Sequence, residues 1–207
     1  MKKIMIVDDM PDIVDMVKHI LESEGYETME AYSGRECLEK VRKEKPDLIL
    51  LDIMMKPLDG WQTLNELKND EELKSIPISM LTVVLLTPEI MKNKPIEKIE
   101  NYILKPFSKE GLIKNVEDML EENDDIHKMA DQLIETIGSE LTEEYERLAM
   151  TVNRHRRLMD VIVKSSKTEF VESESVSNVL KSQERMVEFA EKRMAEIEMM
   201  ASQKIKR

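Results

Sequence analysis

Residues 3–9 read KIMIVDD. The run from Ile4 to Val7 is apolar at consecutive positions, without the alternation of a half-solvated strand, which is the pattern of a strand buried on both faces of a parallel sheet. It ends in two adjacent aspartates, Asp8 and Asp9. Residues 48–52 repeat the design as LILLD, ending in Asp52. A chain that closes two buried runs with carboxylates is placing charge deliberately.

Working outward, short apolar runs alternate with helical spacing as far as about Leu120. Strands are expected at Ile4–Val7, Thr28–Ala31, Leu48–Leu51, Ile76–Leu81 and Tyr102–Leu104. The segments between them carry apolar residues at steps of three and four: Ile13, Met16, Val17 and Ile20; Cys37, Leu38 and Val41; Leu64 and Leu67; Leu112, Ile113, Val116 and Leu120. Pro11, Gly25, Gly34 and Pro46 punctuate the pattern. The expected fold is α/β, a five-stranded doubly wound parallel sheet.

In such a sheet ligands sit beyond the carboxyl ends of the strands where the order reverses, and for order 2-1-3-4-5 that point lies between strands 1 and 3. Asp8, Asp9 and Asp52 therefore converge. Two carboxylates about 4 Å apart repel by roughly 4 kcal/mol at an effective dielectric near 20, so the arrangement calls for a cation or a retained proton. Hard oxygen ligands with an open polar rim favour Mg²⁺, which keeps waters and accepts phosphate oxygens. Strand 4 ends at Thr82 and strand 5 runs into Lys105 and Pro106. A cation, a hydroxyl, an ammonium and a carboxylate nucleophile suit phosphoryl transfer to an aspartate. A helix cap at Asp9, ahead of MPDIVDMV, would explain one acid. It would not explain three.

The segment 1–121 resembles the receiver domain of two-component response regulators. The resemblance rests on VDD at 7–9, LLDIMM at 50–55, Asp59-Gly60, Leu81-Thr82 and YILKPF at 102–107. It implies Asp52 as phosphoacceptor and Asp8, Asp9, Asp52 and the main-chain carbonyl of Met54 as ligands of Mg²⁺, or Mn²⁺ in its place. It implies Thr82 and Lys105 as the groups that grip the phosphoryl oxygens, Thr82 and Tyr102 as the switch, and a cis Lys105-Pro106 bond. It also implies a sensor histidine kinase as partner and a regulatory protein rather than an enzyme, one that assists its own Mg-dependent phosphorylation and dephosphorylation. The sequence departs from the family at Val83, where alanine or glycine is usual, and at Met54 and Val84, where polar residues often orient water. Lys56 replaces a proline and Lys98 a glycine.

After about Glu121 the grammar changes to long helical stripes, assigning 122–207 to a helical domain. One stripe runs through Ile126, Ala130, Leu133, Ile137, Leu141, Tyr145, Leu148, Val152, His155, Met159 and Ile162, with a stutter of successive fours from Leu133 to Tyr145. A polar stretch, SSKTEFVESES at 165–175, interrupts it. A second stripe follows through Val176, Leu180, Gln183, Val187, Ala190, Met194, Ile197 and Ala201. Two helices, about 124–164 and 175–206, are expected to form a hairpin that dimerises as a four-helix bundle and binds a downstream protein.

His155 is the one candidate for histidine phosphotransfer in this half, although its stripe position favours packing. The cluster NRHRR at 153–157, with Lys164 and Lys167, is the only candidate DNA contact and reads better as a solvated face among acids. The net charge of −12 over 207 residues leaves no broad basic face. No run approaches the roughly 18 apolar residues of a membrane span, so a cytoplasmic location is expected. Cys37, the lone cysteine, reads as a packed thiol.

Overall fold

The computed structural model describes residues 1–85, 90, 93–166 and 174–205, with side chains at all of these except 163–180, 182, 183 and 205. The chain divides into two compact units, Met1–Glu117 and Asp118–Arg207.

In the first unit the strands β1 (Lys3–Val7), β2 (Glu27–Ala31), β3 (Leu48–Leu51), β4 (Ile78–Thr82) and β5 (Asn101–Leu104) form one sheet of order β2-β1-β3-β4-β5. All four pairings are parallel. β4 begins two residues later than the sequence reading placed it, because Pro77 has no N–H to donate and joins only through its carbonyl, which accepts from Ile49. Ile4, Met5, Ile6 and Leu48 to Leu51 are wholly buried, as the unbroken apolar runs require. At roughly 1.5–3 kcal/mol for each large aliphatic side chain removed from water, these strands carry much of the unit's stability.

Helices α1 (Pro11–Ser23), α2 (Gly34–Lys43) and α3 (Gly60–Asn69) cover the sheet. α1 buries Val14, Val17 and Leu21. This face is turned by one residue from the expected Ile13, Met16, Val17 and Ile20, both sets having helical spacing. α2 is capped by Ser33, whose side chain accepts from the Glu36 N–H. Cys37 is buried on α2, and desolvation pushes its thiol up to about 12, which makes it inert.

Helix α4 (Lys109–Ile137) gives its first turns to the first unit and the remainder to the second. Asn123 to Asp125 lie inside it, so the last receiver helix and the first long helix are one continuous helical segment. The single helix expected over about 124–164 is corrected at Gly138. That residue has φ +86°, a conformation costly for any residue with a Cβ, and it separates α4 from α5 (Ser139–Ser166). The stutter between Leu133 and Tyr145 was the trace of this break. The carbonyl of Gly138 accepts from both the N–H of Thr142 at 3.3 Å and its hydroxyl at 2.9 Å, which anchors the start of α5.

Together with α6 (Glu174–Ile205) the second unit holds three helical segments, not a two-helix hairpin. Ile126, Leu133, Ile137, Tyr145, Ala149, Ile197 and Ala201 share its core. Met159 and His155 are only half-buried and Leu158 is buried instead, so the stripe shifts register beyond the break. Arg157 pairs with Glu122, which sets α5 antiparallel to the end of α4. Arg193 grips Glu144 with two nitrogens at 2.7 and 3.0 Å, and the Tyr145 hydroxyl donates to Glu198 at 3.0 Å, tying α5 to α6. The side chains at the expected packing positions Val176, Leu180 and Gln183 are not among those described, and residues 167–173 of the polar stretch lie outside the described residues.

Candidate functional site

Register builds the site. Val7 of β1 pairs with Leu51 of β3, so the next residues, Asp8 and Asp52, emerge side by side at the carboxyl ends. The Asp52 N–H donates to the Val7 carbonyl at 2.8 Å and the Asp8 N–H to Ala31 at 3.1 Å, which holds both backbones while the side chains project. Asp8 and Asp52 are buried and Asp9 is exposed. One oxygen from each of the three lies within 4.8 Å of the others. Asp9 does not cap α1, whose N-cap is Met10 with no side-chain cap bond. The cap explanation for the acids fails.

Both buried carboxylates are oriented by main-chain donors. The Met10 N–H gives 2.9 Å to Asp8 Oδ1 and the Met54 N–H gives 2.8 Å to Asp52 Oδ2. Lys105 follows β5, where Thr82 pairs with Leu104 and its carbonyl accepts the Lys105 N–H at 2.8 Å. The Lys105 ammonium reaches Asp52 Oδ1 at 3.1 Å and also contacts Asp8 Oδ2. Thr82 is fully buried, its hydroxyl accepting from the Val84 N–H at 3.3 Å. The Tyr102 side chain is turned inward, and its hydroxyl donates to the Val84 carbonyl at 2.7 Å. Burial and the nearby Asp52 charge hold that phenol well above its ordinary pKa. The Lys105-Pro106 bond is cis, as the resemblance implied, and so is Lys56-Pro57.

Asp8, Asp9, Asp52, Thr82, Lys105, Met54 and Tyr102 thus come together at one end of one sheet. His155 does not join them: it is half-buried on α5 in the second unit. Of the basic cluster, Arg156 bonds Glu191 at 2.6 Å and Arg157 bonds Glu122, so these cations are occupied within their own bundle.

Sequence reasoning gave Asp59 and Gly60 no physical role. Asp59 caps α3 through a reciprocal box with Gln62. A Cβ on Gly60 would lie 2.2 Å from the Asp52 carbonyl oxygen, so only glycine lets α3 start against the strand end that bears Asp52. An Asp-Gly pair shortly ahead of the helical stripe of Leu64 and Leu67 was the available signal. Met10, Met54 and Val83, within two residues in sequence of Asp9, Asp52 and Thr82, are exposed.

The donor set fits a divalent cation. Three carboxylates, two of them buried, converge, and among the described residues no histidine or cysteine joins the cluster, which is the chemistry of Mg²⁺ or Mn²⁺.

Residues 4–117 match the family described as the response regulator receiver domain. Among curated relatives, the DNA-binding response regulator MtrA of Mycolicibacterium smegmatis is 29% identical over 154 residues, covering 72% of this chain and 66% of MtrA. The chain thus spans just under two thirds of that relative. The solved structure of the chemotaxis response regulator CheY4 of Vibrio cholerae is 33% identical with a TM-score of 0.53, covering 56% of this chain and 97% of that one. TrrA of Thermotoga maritima, solved in complex with Mg(2+)-BeF, is 30% identical with a TM-score of 0.52, covering 58% of this chain and 100% of that one.

Proposed function

The chain belongs to the response regulator receiver family, and from that membership we propose that it accepts a phosphoryl group on Asp52 from a sensor histidine kinase and uses it to control the helical unit that follows. The observation that carries this reading is the meeting of Asp52 with Asp8, Asp9 and Lys105. Those groups supply a nucleophile, a cation site and a fixed positive charge within one pocket.

Asp8, Asp9, Asp52 and the Met54 carbonyl are the groups that would hold Mg²⁺. Bound there, the ion would supply positive charge that offsets the acids and polarises the phosphoryl oxygens. A carboxylate oxygen of Asp52 attacks the phosphorus of a phosphohistidine on the kinase. The P–O bond forms as the P–N bond breaks, and the released imidazole takes a proton from water. Lys105 and the Thr82 hydroxyl then hold the new phosphoryl oxygens. Because Val84 is bonded both by Thr82 and by Tyr102, movement of Thr82 toward the phosphoryl group carries to the aromatic ring. The output is a dimerising, protein-binding helical unit acting in the cytoplasm.

Incubation with acetyl phosphate and Mg²⁺ tests the reading. Wild type is expected to gain one acid-stable, base-labile phosphoryl group, and Asp52→Asn none. Equal labelling of the two proteins overturns it.

A second reading, DNA binding, draws on the name of MtrA. Arg156 and Arg157 are already engaged by glutamates, which weighs against it. Salt-sensitive binding of the chain to duplex DNA would favour it.

A further inference from the structure

α6 carries a second stripe besides the one in the core. Arg185, Phe189, Lys192, Glu196 and Met199 recur at steps of four, three, four and three, the spacing of a seam between two helices. These side chains do not serve the core of their own unit, which takes Ala190, Ile197 and Ala201 from α6. Phe189 is 71% exposed, Met199 56% and the neighbouring Met186 57%. Beside Phe189 a groove of about 370 Å³ is lined by Leu148, Thr151, Arg185, Met186 and Ala190. A solvated helix face has no use for an exposed phenylalanine beside an apolar groove.

The order of charges along the stripe identifies what covers it. In an antiparallel pair of seam helices, each position of one kind faces one of the other kind. Aligning this stripe with a reversed copy of itself sets Arg185 opposite Glu196 and Phe189 opposite Lys192. Each layer occurs twice under the two-fold. The first layer pairs opposite charges, and the second lays an aromatic face against an ammonium and its apolar stem. Glu188 falls next to Lys192 of the other copy, again with opposite sign. A parallel copy in the same register would instead set Arg185 on Arg185 and Glu196 on Glu196. The stripe is therefore self-complementary in one direction only, which is what an isologous interface needs.

We propose that this outer stripe of α6 is the docking face for a second copy of the chain, packed antiparallel with Phe189 at its centre. The proposal rests on the reading of the helical unit as a dimerisation unit and adds the surface, the direction and the register.

The test is sedimentation equilibrium on the full chain. Wild type is expected to be a dimer. Phe189→Glu removes an exposed side chain, leaves the core of its own unit intact, and is expected to raise the dimer dissociation constant by about a hundredfold or more. Arg185→Glu and Glu196→Arg are each expected to weaken the dimer by about tenfold, and the double exchange to restore it. A dimer unaffected by Phe189→Glu, or weakened further by the double exchange, overturns this face while leaving dimerisation itself intact. A wild-type chain that stays monomeric overturns both.

Discussion

Lys105 and Asp52 form an ion pair at 3.1 Å, and the same ammonium contacts Asp8, so one cation joins two buried carboxylates that emerge from neighbouring strands. The positive charge needed to hold a phosphoryl group is already in place and already compensated.

This relationship predicts how Lys105→Ala behaves. Without the ammonium, two buried acids face each other uncompensated, and the chain is expected to lose about 2–4 kcal/mol of stability in chelator. Saturating Mg²⁺ is expected to recover most of the loss, because it binds only the folded acids. Thermal melts of both proteins with EDTA and with Mg²⁺ measure this. A variant as stable as wild type in EDTA removes the ion pair's structural role.

Val83 is 58% exposed beside Thr82, and Met54 is 61% exposed beside Asp52. A branched side chain at the mouth narrows access, so Val83→Ala is expected to speed labelling by acetyl phosphate by about two- to tenfold, a barrier change of up to about 1.4 kcal/mol. Neither Met54 nor Val84 offers a side chain that can orient a water, so the aspartyl phosphate is expected to be long-lived. Labelling and decay time courses check both statements. No gain in rate, or a lifetime of seconds, counts against them.

Gly138 sits at φ +86° with no atom near enough to obstruct a Cβ. The cost of Gly138→Ala is therefore backbone strain alone, about 1 kcal/mol. Denaturant unfolding of the full chain is expected to show that loss in the helical unit, with the receiver unchanged.

Tyr145, buried on α5 and bonded to Glu198, has its phenol pushed up to about 12 from an ordinary 10, mainly by desolvation. The folded form thus favours the neutral phenol. This contribution is complete below pH 10 and is lost as pH rises through about 12. The helical unit is expected to unfold progressively over that window, and Tyr145→Phe to lessen the slope. Helicity by circular dichroism against pH reads it.

The receiver half was legible because β1 and β3 are short, largely apolar runs, and every strand but β2 ends in or leads into a residue with one chemical purpose. Asp8, Asp52, Thr82 and Lys105 could be placed together from strand order alone. The helical half was legible in its stripes and not in its break. A single glycine in a long amphipathic pattern costs only about 1 kcal/mol if kept in a helix, so spacing could not tell a tolerated Gly138 from a turn. Beyond that turn the register moved, which is why Leu158 and not Met159 packs inside. The role of Gly60 depends on an approach to the Asp52 carbonyl that no one-dimensional pattern contains. The outer stripe of α6 was masked in sequence by its charges, since Arg185, Lys192 and Glu196 look like ordinary solvated positions until Phe189 is found exposed among them.

The central claim is the identity of the phosphoacceptor. Phosphorylation of the full chain, reduction of the acyl phosphate with borohydride, and mass spectrometry of the resulting peptides locate it directly. The account predicts a single reduced residue at Asp52. A modified position elsewhere, at Asp8, Asp9 or as a phosphohistidine at His155, with Asp52 unreacted, would contradict it.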